Sequence, residues 1–209
     1  MGNGDRHTSK NRYLLAISIT TLLLYSAIAI LASTGQLSRL DHRTENWFPH
    51  TNSPFWSILT SSADVIIALY VIVVPLYYLR NGRSVPLVYY RFLVSLVVGM
   101  VLVVTFKAGL GELRPGVASG AGSFLDRLRH LSLYGFPSGH TVRATIIGWY
   151  LGLGRRMWVK TVVALWVVTI GLSRVIVGAH WLGDVLAGFM LGIGVAALVD
   201  YCFTARCRG

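Results

Sequence analysis

The sequence predicts an all-α, polytopic membrane protein: a bundle of six helices with its polar chemistry gathered at one set of helix ends. Three observations predict it. Of 209 residues, 54% are hydrophobic and only 13% are charged, whereas charged residues make up about a quarter of a soluble domain. Mean hydropathy is +0.61. Several apolar runs also approach or exceed the ~20 residues that cross a bilayer as a helix.

Six spans follow in order: Tyr13–Leu31, Phe55–Leu79, Pro86–Phe106, Thr141–Leu153, Thr161–Leu172 and Trp181–Phe203. The first follows a polar, basic stretch, MGNGDRHTSKNR, at residues 1–12. That pattern resembles a signal peptide, but no small-residue cleavage site follows, so a retained span with a cytoplasmic tail is expected. The fourth and fifth spans, of 13 and 12 residues, are expected to extend into their flanks. The connector between them, GRRMWVK, carries Arg155, Arg156 and Lys160, whose aliphatic stems can snorkel to an interface. Residues 1–209 read as one domain, without internal repeats.

Two connectors have an amphipathic pattern. In LSRLDHRTENWF, Leu37, Leu40, Thr44, Trp47 and Phe48 fall near one helical face; in SFLDRLRHLSLY, Phe124, Leu128 and Leu131 do. Both suit helices lying along the membrane surface, or ordinary surface helices. Between them GVASGAGS, 116–123, reads as a flexible link.

Nineteen Lys and Arg against eight Asp and Glu give a net charge of +11. In this setting anionic headgroups and phosphates are the expected partners, and nucleic acid is not. Arg6, Lys10, Arg12, Arg80, Arg83, Arg155, Arg156, Lys160, Arg206 and Arg208 fall on one side of the six-span plan. By the positive-inside rule that side, with both termini, is cytoplasmic. Lys107, Arg114 and Arg174 lie on the other side, which suggests a chemical role. Cys202 and Cys207 are five apart, with no disulfide or metal pattern.

Three stretches place polar residues where an apolar chain would avoid them. In KAGLGELRP, Lys107 and Arg114 are seven apart; on a continued helix both would share a face and suit phosphate oxygens. In FPSGHT, Pro137 and Ser138 suit the opening and cap of a helix, whose N-terminus favours anions. Gly139 allows close backbone approach, and His140 falls in the first turn. In SRVIVGAHWLGD, His180 and Asp184 are four apart, so a carboxylate can fix the imidazole tautomer. Arg174 lies six residues upstream of His180.

Each stretch alone also reads as interface anchors, a plain capped helix, or a self-solvating pair. Jointly they mean more. Two crossings separate FPSGHT from SRVIVGAHWLGD, and none separates KAGLGELRP from FPSGHT, so all three share one face.

In order and spacing, Lys107-x6-Arg114-Pro115, Pro137-Ser138-Gly139-His140 and Ser173-Arg174-x5-His180-x3-Asp184 resemble the signature of the type 2 phosphatidic acid phosphatase superfamily. That family includes phosphatidylglycerophosphate and undecaprenyl pyrophosphate phosphatases, glucose-6-phosphatase and vanadium haloperoxidases. The likeness runs from the third span to the end; residues 1–85 match in layout only.

The resemblance implies a mechanism. His180 attacks phosphorus and forms a phosphohistidine, Asp184 orients it, and His140 protonates the leaving oxygen and later activates water. Lys107, Arg114, Arg174, Ser138 and the Gly139 amide hold the phosphoryl oxygens. No metal or other cofactor is implied, since three cations take that place and the nearby carboxylates form no hard-cation cage. Two residues depart from the pattern. Glu112 stands where many relatives carry a basic residue; it either buttresses Arg114 or repels an anionic headgroup. Arg143, three residues after His140, reaches a second phosphate or snorkels.

The expected function is a lipid phosphatase of the inner (cytoplasmic) membrane with its site facing outward, acting on undecaprenyl pyrophosphate or phosphatidylglycerophosphate. A lipid phosphotransferase using the same phosphohistidine and a lipid A phosphatase are the alternatives within the family. A transporter is the alternative outside it, but needs its polar residues near the midplane.

Overall fold

The computed structural model describes residues 3–45, 47–48, 51, 53–120 and 122–206. Its helices are α1 (Asn3–Ser33), α2 (Gln36–Glu45), α3 (Pro54–Arg80), α4 (Leu87–Leu110), α5 (Phe124–Arg129), α6 (Gly139–Gly152), α7 (Met157–Ile176) and α8 (Leu182–Arg206). A 3-10 turn, Leu131–Leu133, follows α5. Among the described residues the one extended pairing is an isolated antiparallel bridge between Leu113 and Tyr134. The all-α prediction holds, and each expected span is a helix.

The boundaries follow local chemistry. Pro54 opens α3, where its missing N–H costs nothing. Gly111, at φ +66°, ends α4 in the left-handed conformation that glycine adopts without strain. Arg127 of α5 donates to the carbonyls of Ala108 and Gly109, satisfying the end of α4.

Among the described residues five helices are long and apolar enough to cross a membrane: within α1 (Asn11–Ser33), α3, α4, α7 and within α8 (Leu182–Ala205). The short fifth span did lengthen, since α7 has 20 residues. The fourth did not. α6 has 14 residues, about 21 Å of helix against the ~30 Å of a hydrocarbon core. It starts at the recessed FPSGHT turn, and Gly154, at φ +67°, turns the chain soon after its end.

The amphipathic connectors also differ from a helix lying free on the membrane. α2 is pinned to the bundle: Leu37 is buried against Gly183, and buried Asp41 accepts the Gly183 amide at 2.9 Å. Side chains of Leu40 and Thr44, and all of Cys207 and Arg208, lie outside the described residues. In α5, Phe124 and Leu125 are exposed.

α8 is the central helix; 67% of its most apolar window is buried, against 12% for α3. It packs on α1, α4 and α6. Along the α6 contact it presents Gly188 and Gly192, a small-xxx-small spacing that lets helices approach closely. A Cβ at Gly188 would lie 2.8 Å from the Thr141 Cβ and 3.0 Å from the Ser138 carbonyl oxygen. At Gly192 it would lie 2.7 Å from the Thr145 Cβ.

The far ends of these helices are tied by a buried carboxylate. Asp200 of α8 pairs with Arg91 at 3.2 Å, accepts the Trp149 indole at 3.0 Å and accepts the Tyr150 hydroxyl at 3.3 Å. Arg91 starts α4, and Trp149 and Tyr150 end α6, so the opposite ends, bearing all three polar stretches, meet at the other pole.

Gly188→Val should force α6 and α8 apart. Overpacking of this kind costs ~1–3 kcal/mol, so the thermal midpoint in detergent should fall by several degrees. Gly109→Ala, where a Cβ meets nothing within 4 Å, should leave it unchanged. Equal midpoints for the two variants would contradict the seam.

Candidate active site

Lys107 and Arg114 do converge, though not on one helical face. α4 stops at Leu110 and the chain turns at Gly111, so helical phase cannot align them. A short antiparallel pairing does the work instead. The Arg114 amide donates to the Leu133 carbonyl at 3.1 Å, and the Gly135 amide to the Glu112 carbonyl at 2.9 Å. This sets the Tyr134 carbonyl between the cations: Lys107 Nζ and Arg114 Nε both donate to it. Lys107 also donates to the Gly135 carbonyl at 2.9 Å. An ammonium has three donors and a guanidinium five, so both keep N–H groups for another acceptor.

Ser138 occupies the N-cap position of α6, but its side chain makes no cap hydrogen bond. Its hydroxyl instead accepts from Thr141 Oγ1 at 3.0 Å, which leaves its own proton to donate elsewhere. The first-turn amides of α6, Gly139 among them, have no intrahelical acceptor. A Cβ at Gly139 would meet Val103 and Met100 at ordinary contact distances, so the protein's own packing does not demand glycine there.

His180 and Asp184 meet as the spacing predicted, with Nδ1···Oδ2 at 3.2 Å and both side chains almost fully buried. His180 precedes α8 rather than lying in it. Asp184 Oδ2 also accepts the Trp181 amide at 3.0 Å, which fixes the carboxylate at the helix start. The imidazole also bonds the Gly135 backbone. Gly135 is required here, since a Cβ would fall 2.3 Å from Asp184 Oδ2. The Ser138 amide donates to the Asp184 carbonyl at 3.0 Å, tying the second stretch to the third.

Arg174 ends α7 and holds the turn before α8; its carbonyl accepts the amides of Ala179 and His180. Its Nε is buried without a hydrogen-bond partner among the described residues. Burial, then the charges of Lys107, Arg114 and Arg174, hold the His180 imidazole well below its usual range. The ring is therefore neutral at neutral pH, and three cations surround it.

Four further features surround the three motifs. Asp64, within α3, pairs with Arg143 at 3.1 Å and lies 4.0 Å from His140 Nε2. Arg143 therefore has a carboxylate partner on α3. An ionisable residue inside the TSSAD stretch of a span was the available clue. Trp181 donates its indole N–H to the Leu113 carbonyl at 2.9 Å, and His42 packs edge-on against it at 4.8 Å. Burial pushes the Asp41 carboxyl up to about 6, despite the Gly183 amide. Burial, with Asp184 and Asp41, pushes Glu112 up to about 7; no ion pair joins it to Arg114 among the described residues.

The profile of the PAP2 superfamily matches residues 88–208, a stretch that contains all three polar clusters. The lipid A 4'-phosphatase of Bacteroides thetaiotaomicron is 27% identical over 169 residues, covering 75% of this chain and 73% of that protein. The lipid A 1-phosphatase of Rhizobium johnstonii is 35% identical over 105 residues, covering 48% of this chain. The chain spans only 41% of the Rhizobium protein's length. In three dimensions the chain is similar to the transmembrane PAP2-type phosphatidylglycerolphosphate phosphatase of Bacillus subtilis. The TM-score is 0.69 at 21% identity, over 90% of this chain and 96% of that one. That likeness shows a shared fold, and with a family profile spanning more than half of the sequence, the chain belongs to the PAP2 superfamily.

Proposed function

We propose that this integral membrane protein hydrolyses a phosphate monoester on a membrane lipid, through a phosphohistidine at His180. One observation carries the reading: a buried, neutral imidazole held through Nδ1 by a carboxylate, with Lys107, Arg114 and Arg174 close enough to act on its charge. His180 Nε2 attacks phosphorus as the bond to the lipid oxygen breaks. His140, 4.0 Å from the Asp64 carboxylate, gives its proton to that oxygen once the charge of the bound phosphate favours the imidazolium. It then takes a proton from water as the water attacks phosphorus, the P–N bond breaks and phosphate leaves. The three cations, the Ser138 hydroxyl and the Gly139 amide hold the equatorial oxygens, where charge spreads in the transition state. Close approach of phosphate to the backbone gives glycine at 139 a purpose that packing does not.

For the lipid, the names of the relatives support lipid A and phosphatidylglycerophosphate; undecaprenyl pyrophosphate rests on the family resemblance alone. The distribution of basic residues supports cytoplasmic termini and a site on the outer side of the inner membrane. The polar groups gather at one pole of the bundle, which favours an enzyme over a transporter.

Purified protein in excess chelator, given a lipid phosphate, should release phosphate into water. His180→Ala should remove more than ~99% of the rate, as for loss of a nucleophile. Ser138→Ala, which removes one donor, should lower it about 10–100-fold and leave a measurable remainder. Full activity of His180→Ala would overturn the reading. Phosphoryl transfer only to an acceptor lipid would make the protein a phosphotransferase.

The pH profile checks the site's electrostatics. Glu112 is neutral below about 7 and ionised above it, so above that pH it adds negative charge beside an anion site. Asp41, raised to about 6, is already largely ionised there. The value of kcat/KM should therefore fall as pH rises through about 7, and Glu112→Gln should flatten that step. An unchanged profile in the variant would remove Glu112 from the account.

A further inference from the structure

Asp64 and Arg143 are charged groups beside His140 that the reaction so far leaves unused, and Asp64 is the less expected of the two. It lies ten residues into α3, ~15 Å along the helix axis, where an ionised side chain is costly and most often marks a functional site. Its Oδ1 is 3.1 Å from Arg143 Nη1, and its Oδ2 is 4.0 Å from His140 Nε2. The Asp64 side chain is 46% exposed. It opens into a cleft of about 490 Å³ walled by Ile67, Val71, Leu96 and Met100, with Arg143 at its polar end. Apolar walls leading to a polar end suit a lipid whose head lies beside His140.

We propose that the Asp64–Arg143 pair selects the leaving group, favouring lipid phosphate monoesters whose leaving oxygen belongs to a hydroxyl-bearing glycerol or sugar over lipid pyrophosphates, whose leaving oxygen belongs to a second phosphate. The inference rests on the phosphatase reading, because the acid that protonates the leaving oxygen, His140, places that oxygen next to Asp64. A glycerol or sugar hydroxyl can donate to the carboxylate. A second phosphate offers only charged acceptors, which Asp64 repels, and Arg143 cannot offset this while it is paired. Arg143 was a candidate for a second phosphate from sequence alone; Asp64 cancels that role.

The test measures kcat/KM for phosphatidylglycerophosphate and for a polyprenyl pyrophosphate in the same detergent. The wild type should favour the monoester. Asp64→Asn leaves Arg143 uncompensated, and should raise the pyrophosphate-to-monoester ratio about tenfold, the scale of a like-charge contact removed. Arg143→Gln keeps the carboxylate without its cation, and should move the ratio the other way by a similar factor. It serves as the test if Asp64→Asn does not fold. A purely structural role would lower both activities together and leave the ratio alone. A shift below about threefold in the folded variants, or a wild type that favours pyrophosphate, would overturn the proposal. A wild type that prefers neither lipid because it acts on neither would overturn this inference, and one that also releases no phosphate from lipid A would overturn the phosphatase reading itself.

Discussion

Two cations share one carbonyl. Lys107 and Arg114 both donate to the Tyr134 oxygen, and that oxygen is presented by the short pairing of Glu112–Arg114 with Leu133–Gly135. The same strap runs on to Ser138, whose amide bonds the Asp184 carbonyl. The cations, the N-terminus of α6 and the His180–Asp184 pair are therefore positioned by one segment of backbone. Two cations close together repel, and burial strengthens the repulsion. Burial, opposed only in part by Asp184, pushes Arg114 below its usual range. A carbonyl dipole between them offsets part of that cost without neutralising either charge. Both stay available to an anion.

The strap meets α8 where α6 and α8 pack closely. Gly188 and Gly192 bring the backbones together over the first turns of α6, while Asp200 locks their far ends. Gly135 does the same for the site, admitting the Asp184 carboxylate where any side chain would exclude it. In a lipid environment, where apolar contact alone gives helices little reason to associate, close packing and hydrogen bonds carry the cohesion. The chemistry and the cohesion of the bundle therefore use the same interface.

The residues of the site were legible in the sequence because polar groups are rare in an apolar chain, so each one stands out. Their arrangement was less so. Lys107 and Arg114 were expected to meet through helical phase, but Gly111 breaks the helix and Tyr134, 27 and 20 residues further along the chain, supplies the geometry. Ser138 was expected to cap α6, yet its hydroxyl turns to Thr141. α6 was expected to lengthen into its flanks, and its recessed start keeps it short. Asp64 carried a readable signal, a carboxylate inside a span, but its partners lie 76 and 79 residues further along the chain. Pairings of that range leave no periodicity to read. Gly188 and Gly192 were likewise visible as a spacing, but which helix they admit depends on the packed bundle.

The central claim is that His180 Nε2 carries the phosphoryl group between substrate and water. The most direct measurement is a rapid quench in base of protein turning over a labelled lipid phosphate, followed by mass spectrometry of its peptides. The account predicts a base-stable, acid-labile phosphoryl group on the peptide containing His180, formed within one turnover and absent from His180→Ala. A phosphoryl group on Ser138, or on His140 with His180 unmodified, would contradict it.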